Sequence, residues 1–184
     1  MSTTPPGRAV PFADPASVTV LCLDVDGVLT DGSITYSSSG DELKTFLSRD
    51  GYGLRMWLAS GHHAAIVTGR GGEAVRRRAQ ELGIAPVIEG SSNKAAALDE
   101  VCAHCGVRPD QVAHVGDDWP DLAIMNLCGY PISVADAEPL VKSAAAWITP
   151  RPGGRGAVRD ACEHLLAASG KLDRAVEKAR MATP

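Results

Sequence analysis

Short apolar runs alternate along the chain with stretches in which apolar residues recur every three or four positions. The runs are typical of buried strands, and the stretches are typical of amphipathic helices. The first run covers residues 18–23, and the others lie within 64–70, 86–90, 111–115, 132–134 and 146–149. Predicted helices lie between them, including one over about 52–60 with Asp50 as its N-cap. The alternation predicts an α/β domain with a doubly wound, mostly parallel, Rossmann-like sheet.

Three segments depart from this alternation. Alternating residues on either side of a Ser/Gly turn predict a β-hairpin over about 33–46, which is too small to be a cap domain and would form a flap. Residues 1–17 are rich in Pro, Ser, Thr and Ala and predict a flexible N-terminal arm, and the charged residues 174–184 predict a frayed C-terminal tail. One domain is therefore expected over residues 18–173.

Composition narrows the classes of partner. The chain has 184 residues, of which 45% are hydrophobic, enough for one domain with a substantial core. The net charge of −4 and the absence of a long basic stretch argue against nucleic acid or an anionic membrane as the main partner. The cluster Arg76–Arg78 fits a solvated helix face. No apolar run reaches transmembrane length and no secretory signal pattern is present, so we expect a cytoplasmic protein.

Five cysteines are scattered through apolar or helical segments. Cys102 and Cys105 are three residues apart, but no second ligand pair follows at a zinc-site spacing. A redox pair would lie at the start of a helix, whereas this pair lies near the end of one. We therefore expect the cysteines to be reduced and structural.

Polar side chains follow the ends of several predicted strands. Asp24 and Asp26 end the first strand and, with one residue between them, point to the same side. Thr68 ends the second strand, Lys94 opens a helix, and Asp117 follows a later strand. Right-handed crossovers bring all strand-to-helix turns to one edge of a parallel sheet. We expect these side chains to meet at that edge.

The residue types at this edge indicate phosphate chemistry. Converging carboxylates repel one another unless a cation lies between them, and oxygen ligands suit Mg²⁺. Thr68, the backbone amides around Gly69, and Lys94 can bind phosphate oxygens, and an aspartate can accept a phosphoryl group. Each element has an ordinary alternative: residues 24–27 could be a polar turn, and Lys94 a surface lysine. Their order at matching turns favours the joint interpretation.

Four motifs of the haloacid dehalogenase superfamily of phosphatases resemble segments of this chain: Asp24–Thr30, Thr68–Arg70, Lys94 and Gly116–Asp121. The chain also resembles the 3-deoxy-D-manno-octulosonate 8-phosphate phosphatase family in residues 24–32, 49–53, 92–94, 153–159 and 170–173. The resemblance covers about residues 18–173, so the N-terminal arm lies outside it.

The resemblance implies a role for each acid. Asp24 would be the nucleophile, and Asp26 would be the general acid and then the base that activates water. Mg²⁺ would be held by Asp24, the backbone carbonyl of Asp26, and Asp117. Asp118 and Asp121 would orient waters and the motif lysine.

The resemblance also implies contacts to the substrate. Thr68, Gly69 and Lys94 would bind the phosphoryl group. Candidates for the carboxylate and hydroxyls of the sugar acid are Arg49, Arg70 and Arg155. For Arg49 and Arg155 surface solvation is the alternative.

Family members have no large cap domain, and the resemblance implies a homotetramer in which hairpins pack together and a neighbour's C-terminal tail closes the site. A related branch acts on nine-carbon keto-deoxy sugar acid phosphates and carries Glu-Lys where this chain has Arg70-Gly71, which favours the eight-carbon substrate. Hydrolysis of another small phosphate ester, and an inactive assembly module of the same fold, stay open as alternatives.

Overall fold

The computed structural model describes residues 11–91 and 93–181. Its strands are β1 (Val20–Leu23), β2 (Thr35–Tyr36), β3 (Glu42–Leu43), β4 (His63–Thr68), β5 (Val87–Glu89), β6 (Val112–Gly116), β7 (Tyr130–Ser133) and β8 (Trp147–Ile148). Its α-helices are α1 (Ser48–Ala59), α2 (Glu73–Leu82), α3 (Lys94–Cys105), α4 (Leu122–Met125), α5 (Pro139–Ala144), α6 (Ala157–Ala168) and α7 (Leu172–Met181). Short 3₁₀ helices cover Pro15–Ser17, Pro109–Gln111 and Trp119–Asp121. Within the described ranges, no helix is both long and apolar enough to cross a membrane.

Six strands form one parallel sheet in the spatial order β5-β4-β1-β6-β7-β8, and β2 and β3 form a separate antiparallel hairpin. From β1 the chain moves outward to β4 and β5, then returns to the other side of β1 and continues through β6 to β8. The direction of winding therefore changes between β1 and β6, and in such sheets the ligand crevice lies at the carboxyl ends of those strands. The predicted fold class is confirmed.

Strand β1 is buried on both faces, which explains why its sequence is a continuous apolar run rather than an alternating one. Leu21 and Leu23 belong to the cluster that includes Leu54 of α1 and Leu165 of α6. Their neighbours Val20 and Cys22 belong to the cluster on the opposite face, which is built largely by α3. Each fully buried leucine contributes about 1.5–3 kcal/mol relative to an exposed one. This burial fixes the strand whose end carries Asp24.

Helix α1 begins earlier than predicted, and Asp50 is not its N-cap. The helix begins at Ser48, and Leu47 holds the N-cap position without a side-chain hydrogen bond. Asp50 is only 1% exposed, and its Oδ1 accepts a hydrogen bond of 2.8 Å from the backbone N–H of Arg159 in the first turn of α6. The carboxylate therefore caps a neighbouring helix, a tertiary contact that the local pattern does not reveal.

The C-terminal segment forms helix α7, so the frayed tail predicted from residue 174 is wrong where the structure describes it. Ala175 is buried in the main hydrophobic cluster and anchors this helix. The arm predicted over 1–17 contains one turn of 3₁₀ helix near its end. Residues 1–10 of the arm and 182–184 of the tail lie outside the described residues.

His62 is a buried histidine that packs between an aromatic ring and a lysine. Its ring stacks on Trp57 with 3.9 Å between the centroids, and its Nε2 accepts a 2.9 Å hydrogen bond from Lys171 Nζ. Burial, together with the electrostatic effect of Lys171 and His63, lowers the pKa of His62 to about 4 from an ordinary 6.5. His62 is therefore neutral in the folded protein near neutral pH.

We expect His62 to make the fold acid-sensitive. Its pKa is lower in the folded than in the unfolded chain, so the unfolded chain binds the extra proton first as the pH falls. The contribution of neutral His62 is complete above pH 6.5 and is lost as the pH falls towards 4. Between about pH 7 and about pH 4.5, wild type should lose about 2 kcal/mol more unfolding free energy than His62→Gln in urea titrations. A difference between the two proteins that does not change with pH would contradict this.

Candidate active site

A cavity of about 510 Å³ opens at the carboxyl ends of β1, β4 and β6, at the predicted edge of the sheet. The residues that line it are Asp24, Asp26, Gly32, Ile34, Thr68, Gly69, Arg70, Ser91, Lys94, Asp117, Asp118, Pro120 and Asp121. The fold thus brings together the predicted acids, the motif lysine, the Thr-Gly turn and one of the three candidate arginines.

The turn after β1 directs two carboxylates into this cavity. Val25 is fully buried in the core, whereas Asp24 and Asp26 on either side of it line the cavity. Gly27 follows with a φ of +87°, and a Cβ there would lie 2.0 Å from Asp117 Oδ2. Only glycine fits this position, because the turn brings its backbone against the carboxylate of Asp117.

Lys94 connects the acids of two strand ends. It begins α3, whose N-cap is Asn93, and its side chain is only 7% exposed. Its Nζ donates hydrogen bonds to Asp24 Oδ1 at 3.0 Å and to Asp121 Oδ1 at 2.7 Å. Burial alone would lower the pKa of Lys94, but the two carboxylates outweigh it and the pKa is raised. Lys94 therefore remains a cation in the centre of the site.

Asp121 is the most heavily bonded acid of the site. Its Oδ1 also lies 3.0 Å from His114 Nε2, and its Oδ2 accepts the backbone N–H groups of Asp117 and Asp118 at 3.0 and 3.3 Å. Burial opposes its ionisation, but the bonds from His114 and Lys94 hold the pKa of Asp121 well below its usual range. Asp121 thus fixes both the lysine and the loop that carries Asp117.

The sequence interpretation did not assign His114 to the site. The ring lies fully buried in β6, two residues before the strand ends. A histidine within an otherwise apolar run was the available signal, because a buried polar side chain needs a partner. Its partner, Asp121, follows seven residues later, on the 3₁₀ helix after β6.

Three acids of the site lie close enough together to bind a divalent cation. Asp24, Asp117 and Asp121 each place a carboxylate oxygen within 4.8 Å of the others. Burial and the charge of Asp121 raise the pKa of Asp24 to about 6, and burial with the charges of Asp121 and Asp24 raises that of Asp117 to about 8. Asp117 Oδ1 is buried and has no hydrogen-bond partner among the described residues. Of these three acids, Asp121 already accepts hydrogen bonds at both oxygens, whereas Asp24 and Asp117 each keep an oxygen that could bind Mg²⁺.

The hairpin formed by β2 and β3, which we call the flap, contacts Asp26 through a residue that the sequence interpretation missed. Lys44 follows β3, and its side chain is only 4% exposed. Its Nζ contacts Asp26 Oδ1, and it bonds Glu42 Oε1 at 2.9 Å. No motif marked Lys44, because its partner Asp26 lies eighteen residues earlier.

Arg70 lies on the rim of the cavity beneath the flap. Its Nη2 donates to Glu42 Oε2 at 3.0 Å and to the hydroxyl of Tyr36 at 3.3 Å. The side chain is 45% exposed, so this ion pair is accessible to solvent and a substrate carboxylate could compete for it.

The structure does not bring Arg49 and Arg155 to the lining of the cavity. Arg49 is exposed, and Arg155 pairs with Asp31 at 3.1 Å. The loop before Arg155 instead packs on the turn after β1, where a Cβ on Gly153 would lie 1.7 Å from the carbonyl oxygen of Gly27. Within one chain these two arginines lie outside the cavity lining, and their contacts to the substrate stay a prediction.

A known family and several known proteins match the sequence of this chain. The haloacid dehalogenase-like hydrolase family matches residues 83–158. The 3-deoxy-D-manno-octulosonate 8-phosphate phosphatase of Escherichia coli strain K12 is 45% identical over 170 residues, which cover 92% of this chain and 90% of that protein. The Salmonella typhi protein of the same name is 46% identical over 159 residues, covering 86% and 85%.

Solved structures give the same result. The phosphatase of that name from Yersinia pestis superposes with a TM-score of 0.85 at 42% identity, covering 89% of this chain and 91% of that one. The Moraxella catarrhalis phosphatase, solved with magnesium, phosphate and KDO, gives 0.87 at 38% identity, covering 90% and 95%. The chain therefore belongs to the 3-deoxy-D-manno-octulosonate 8-phosphate phosphatase family of haloacid dehalogenase-like hydrolases.

Proposed function

We propose that this protein hydrolyses 3-deoxy-D-manno-octulosonate 8-phosphate to the free sugar acid and inorganic phosphate, with Mg²⁺ as cofactor. The observation that carries the proposal is the cavity in which Lys94 holds Asp24 beside Asp26 and the unpartnered Oδ1 of Asp117. The relatives named for this substrate support it, as does the Moraxella catarrhalis complex with magnesium, phosphate and KDO.

The proposed reaction has two steps. An oxygen of Asp24 attacks the phosphorus, the bond between phosphorus and the sugar oxygen breaks, and Asp26 donates a proton to the leaving alkoxide. A water then attacks the aspartyl phosphate, Asp26 accepts its proton, and phosphate leaves with Asp24 regenerated. The hydrogen bond from Lys94 fixes the direction from which Asp24 attacks.

Residues at the rim of the cavity would hold the phosphoryl group. Lys94, the hydroxyl of Thr68 and the backbone N–H of Gly69 would bind its oxygens and stabilise the charge of the transition state. The carboxylates of Asp24 and Asp117 and the backbone carbonyl of Asp26 would hold Mg²⁺. When bound, Mg²⁺ supplies positive charge that reduces the repulsion between the nucleophile and the phosphate.

The flanking residues have supporting roles in this proposal. Asp121 positions Lys94, and Asp118 would orient water at the metal. Of the three candidate arginines we retain Arg70 as the contact to the sugar carboxylate, because it lines the cavity. Its guanidinium can bind a carboxylate through two parallel hydrogen bonds.

The proposal includes a homotetramer. Ile34, Tyr36 and Leu43 of the flap are 53%, 61% and 53% exposed, which is unusual for large apolar side chains on so short a hairpin. Packing the flaps of several copies together would bury this surface, and each Å² of buried apolar area would stabilise the assembly by about 25 cal/mol. Light scattering of the purified protein should give the mass of four chains, and a monomer would contradict the assembly.

A cytoplasmic location is also proposed. Four of the five cysteines, Cys22, Cys102, Cys105 and Cys162, are free thiols, which suits a reducing compartment, where disulfides are rare. Cell fractionation measures this directly, and recovery of the protein outside the cytoplasm would contradict it.

The test of the proposed function is a panel of phosphate esters compared by kcat/KM in the presence of Mg²⁺. We expect kcat/KM for the octulosonate 8-phosphate to be at least about tenfold higher than for a nine-carbon keto-deoxy sugar acid 9-phosphate or for glucose 6-phosphate. A higher value for the nine-carbon ester would overturn the substrate but keep the reaction. Failure to hydrolyse any ester would favour an inactive assembly module.

A further inference from the structure

We propose that Lys44 is a positioning residue for Asp26. It would hold one carboxylate oxygen and leave the other for the leaving group, so that cleavage of alkyl phosphates depends on how the flap is seated. This inference rests on the role proposed for Asp26 as general acid and base.

Two ion pairs hold the ammonium group of Lys44 in position. The side chain is 4% exposed, and Nζ is held between Asp26 Oδ1 and Glu42 Oε1. Covering a charged ammonium group is costly unless its charge is paired. The carboxylates of Asp26 and Glu42 provide that pairing, and the contacts restrain both partners.

The two oxygens of Asp26 have different surroundings. Oδ1 is bound to Lys44, whereas Oδ2 is buried and has no hydrogen-bond partner among the described residues. Asp26 lines the cavity, and because Lys44 holds Oδ1, Oδ2 is the oxygen left for the leaving group or for water, towards which it must turn from its buried position. A general acid must come within about 2.6–3.2 Å of the atom that it protonates. Anchoring Oδ1 limits rotation of the carboxylate and thereby sets where Oδ2 lies.

The anchor belongs to the flap, which makes the geometry of Asp26 depend on it. Lys44 directly follows β3, and its second partner Glu42 also accepts a 3.0 Å hydrogen bond from Arg70, after β4. Asp26, Lys44, Glu42 and Arg70 thus form a row of alternating charges that connects the ends of β1 and β4 through the flap. Displacing the flap would release Oδ1.

Lys44 acts through Asp26 and not on the phosphate. The described residues that line the cavity include Lys94 but not Lys44. Lys44 instead lines a separate cleft on the α2 side, together with Phe46 and Arg78. Because it lines that cleft and not the cavity, its position suits an anchor of Asp26 and does not suit a substrate ligand.

The experiment compares an alkyl with an aryl ester. The alkoxide of octulosonate 8-phosphate needs a proton to leave, whereas the nitrophenolate of 4-nitrophenyl phosphate leaves as a stable anion. In Lys44→Met, kcat/KM for the sugar ester should fall by about 10–100-fold and that for the aryl ester by less than about threefold. Lys44→Arg should restore most of the loss. Lys142→Met, which removes a lysine of α5 that does not line the cavity, should match wild type.

Hydrolysis of the aspartyl phosphate also needs Asp26, so Lys44→Met should show a burst of nitrophenolate approaching one equivalent per site. A merely structural role would lower both esters alike and give no burst, and that result would overturn the proposal, as would unchanged kinetics on both. If Lys44→Met does not fold, Lys44→Gln should also lower kcat/KM more for the sugar ester than for the aryl ester, by a smaller factor.

The wild-type protein distinguishes this inference from the proposed function. If wild type cleaves the aryl ester but not octulosonate 8-phosphate, the proposed substrate is wrong. The contrast for Lys44 is then measured with the alkyl phosphate from the panel that wild type does hydrolyse, and the same outcomes support or overturn it.

Discussion

Asp24→Asn should abolish turnover without weakening the fold. An amide oxygen is a poor nucleophile, so the aspartyl phosphate cannot form, and we expect kcat to fall by at least about a thousandfold. The asparagine is isosteric and its Oδ1 can still accept the hydrogen bond from Lys94. Phosphate release with the octulosonate 8-phosphate in Mg²⁺ measures the loss. Turnover near that of wild type would contradict Asp24 as nucleophile.

Asp24→Asn should be at least as stable as wild type, although it is inactive. Burial and the charge of Asp121 raise the pKa of Asp24 to about 6, so near neutral pH the metal-free fold holds this carboxylate ionised at a cost. Removing that charge should leave the unfolding free energy in a chelator unchanged or raise it by up to about 2 kcal/mol. Asp99→Asn makes the same chemical change at an exposed position of α3 and should alter neither activity nor stability. A destabilised Asp24→Asn would indicate a structural role instead.

The fold was predictable because its information is local. Strand β1 is buried on both faces, and burial on both faces requires the unbroken apolar run that precedes Asp24. The regular alternation of strands and helices, with right-handed crossovers, then determines that Thr68, Lys94 and Asp117 reach the same edge as Asp24. For this reason the composition of the cavity could be anticipated without knowledge of any distance.

The missed features depend on contacts between distant residues. Asp50 looked like the cap of its own helix, but its bond is to the backbone of Arg159, 109 residues away. Lys44 resembles any lysine of a surface hairpin until the flap folds back on Asp26. The same limit applies to Arg155, whose pair with Asp31 comes from packing of its loop on the turn after β1.

The acids that the proposed reaction needs also repel one another in the folded protein. Asp24, Asp117 and Asp121 converge within 4.8 Å, and Lys94 offsets part of their repulsion in the absence of metal. Asp121 gains enough from its hydrogen bonds to remain ionised, whereas the pKa of Asp117 is raised to about 8. The acids that we propose as Mg²⁺ ligands, Asp24 and Asp117, are therefore those whose charged forms the protein itself stabilises least.

Lys94→Met tests this arrangement most directly. The variant removes the proposed phosphate ligand, so we expect kcat to fall by at least about a hundredfold. It also leaves Asp24 and Asp121 without their shared cation, which should lower the unfolding free energy in a chelator by about 3–5 kcal/mol. Thermal and urea unfolding measure this loss, with Lys178→Met as the matched control on an exposed face.

The loss in Lys94→Met should depend on pH and on Mg²⁺. Without the lysine the pKa of Asp24 rises further, and protonation relieves the repulsion at low pH, so the deficit should be smaller near pH 6 than near pH 8. Mg²⁺ places positive charge beside Asp24 and Asp117, so it should stabilise the variant more than it stabilises wild type, and calorimetry should show tighter Mg²⁺ binding. An equal Mg²⁺ effect in both proteins would mean that Lys94 and the metal do not act on the same carboxylates, which would contradict the ligand set proposed for Mg²⁺.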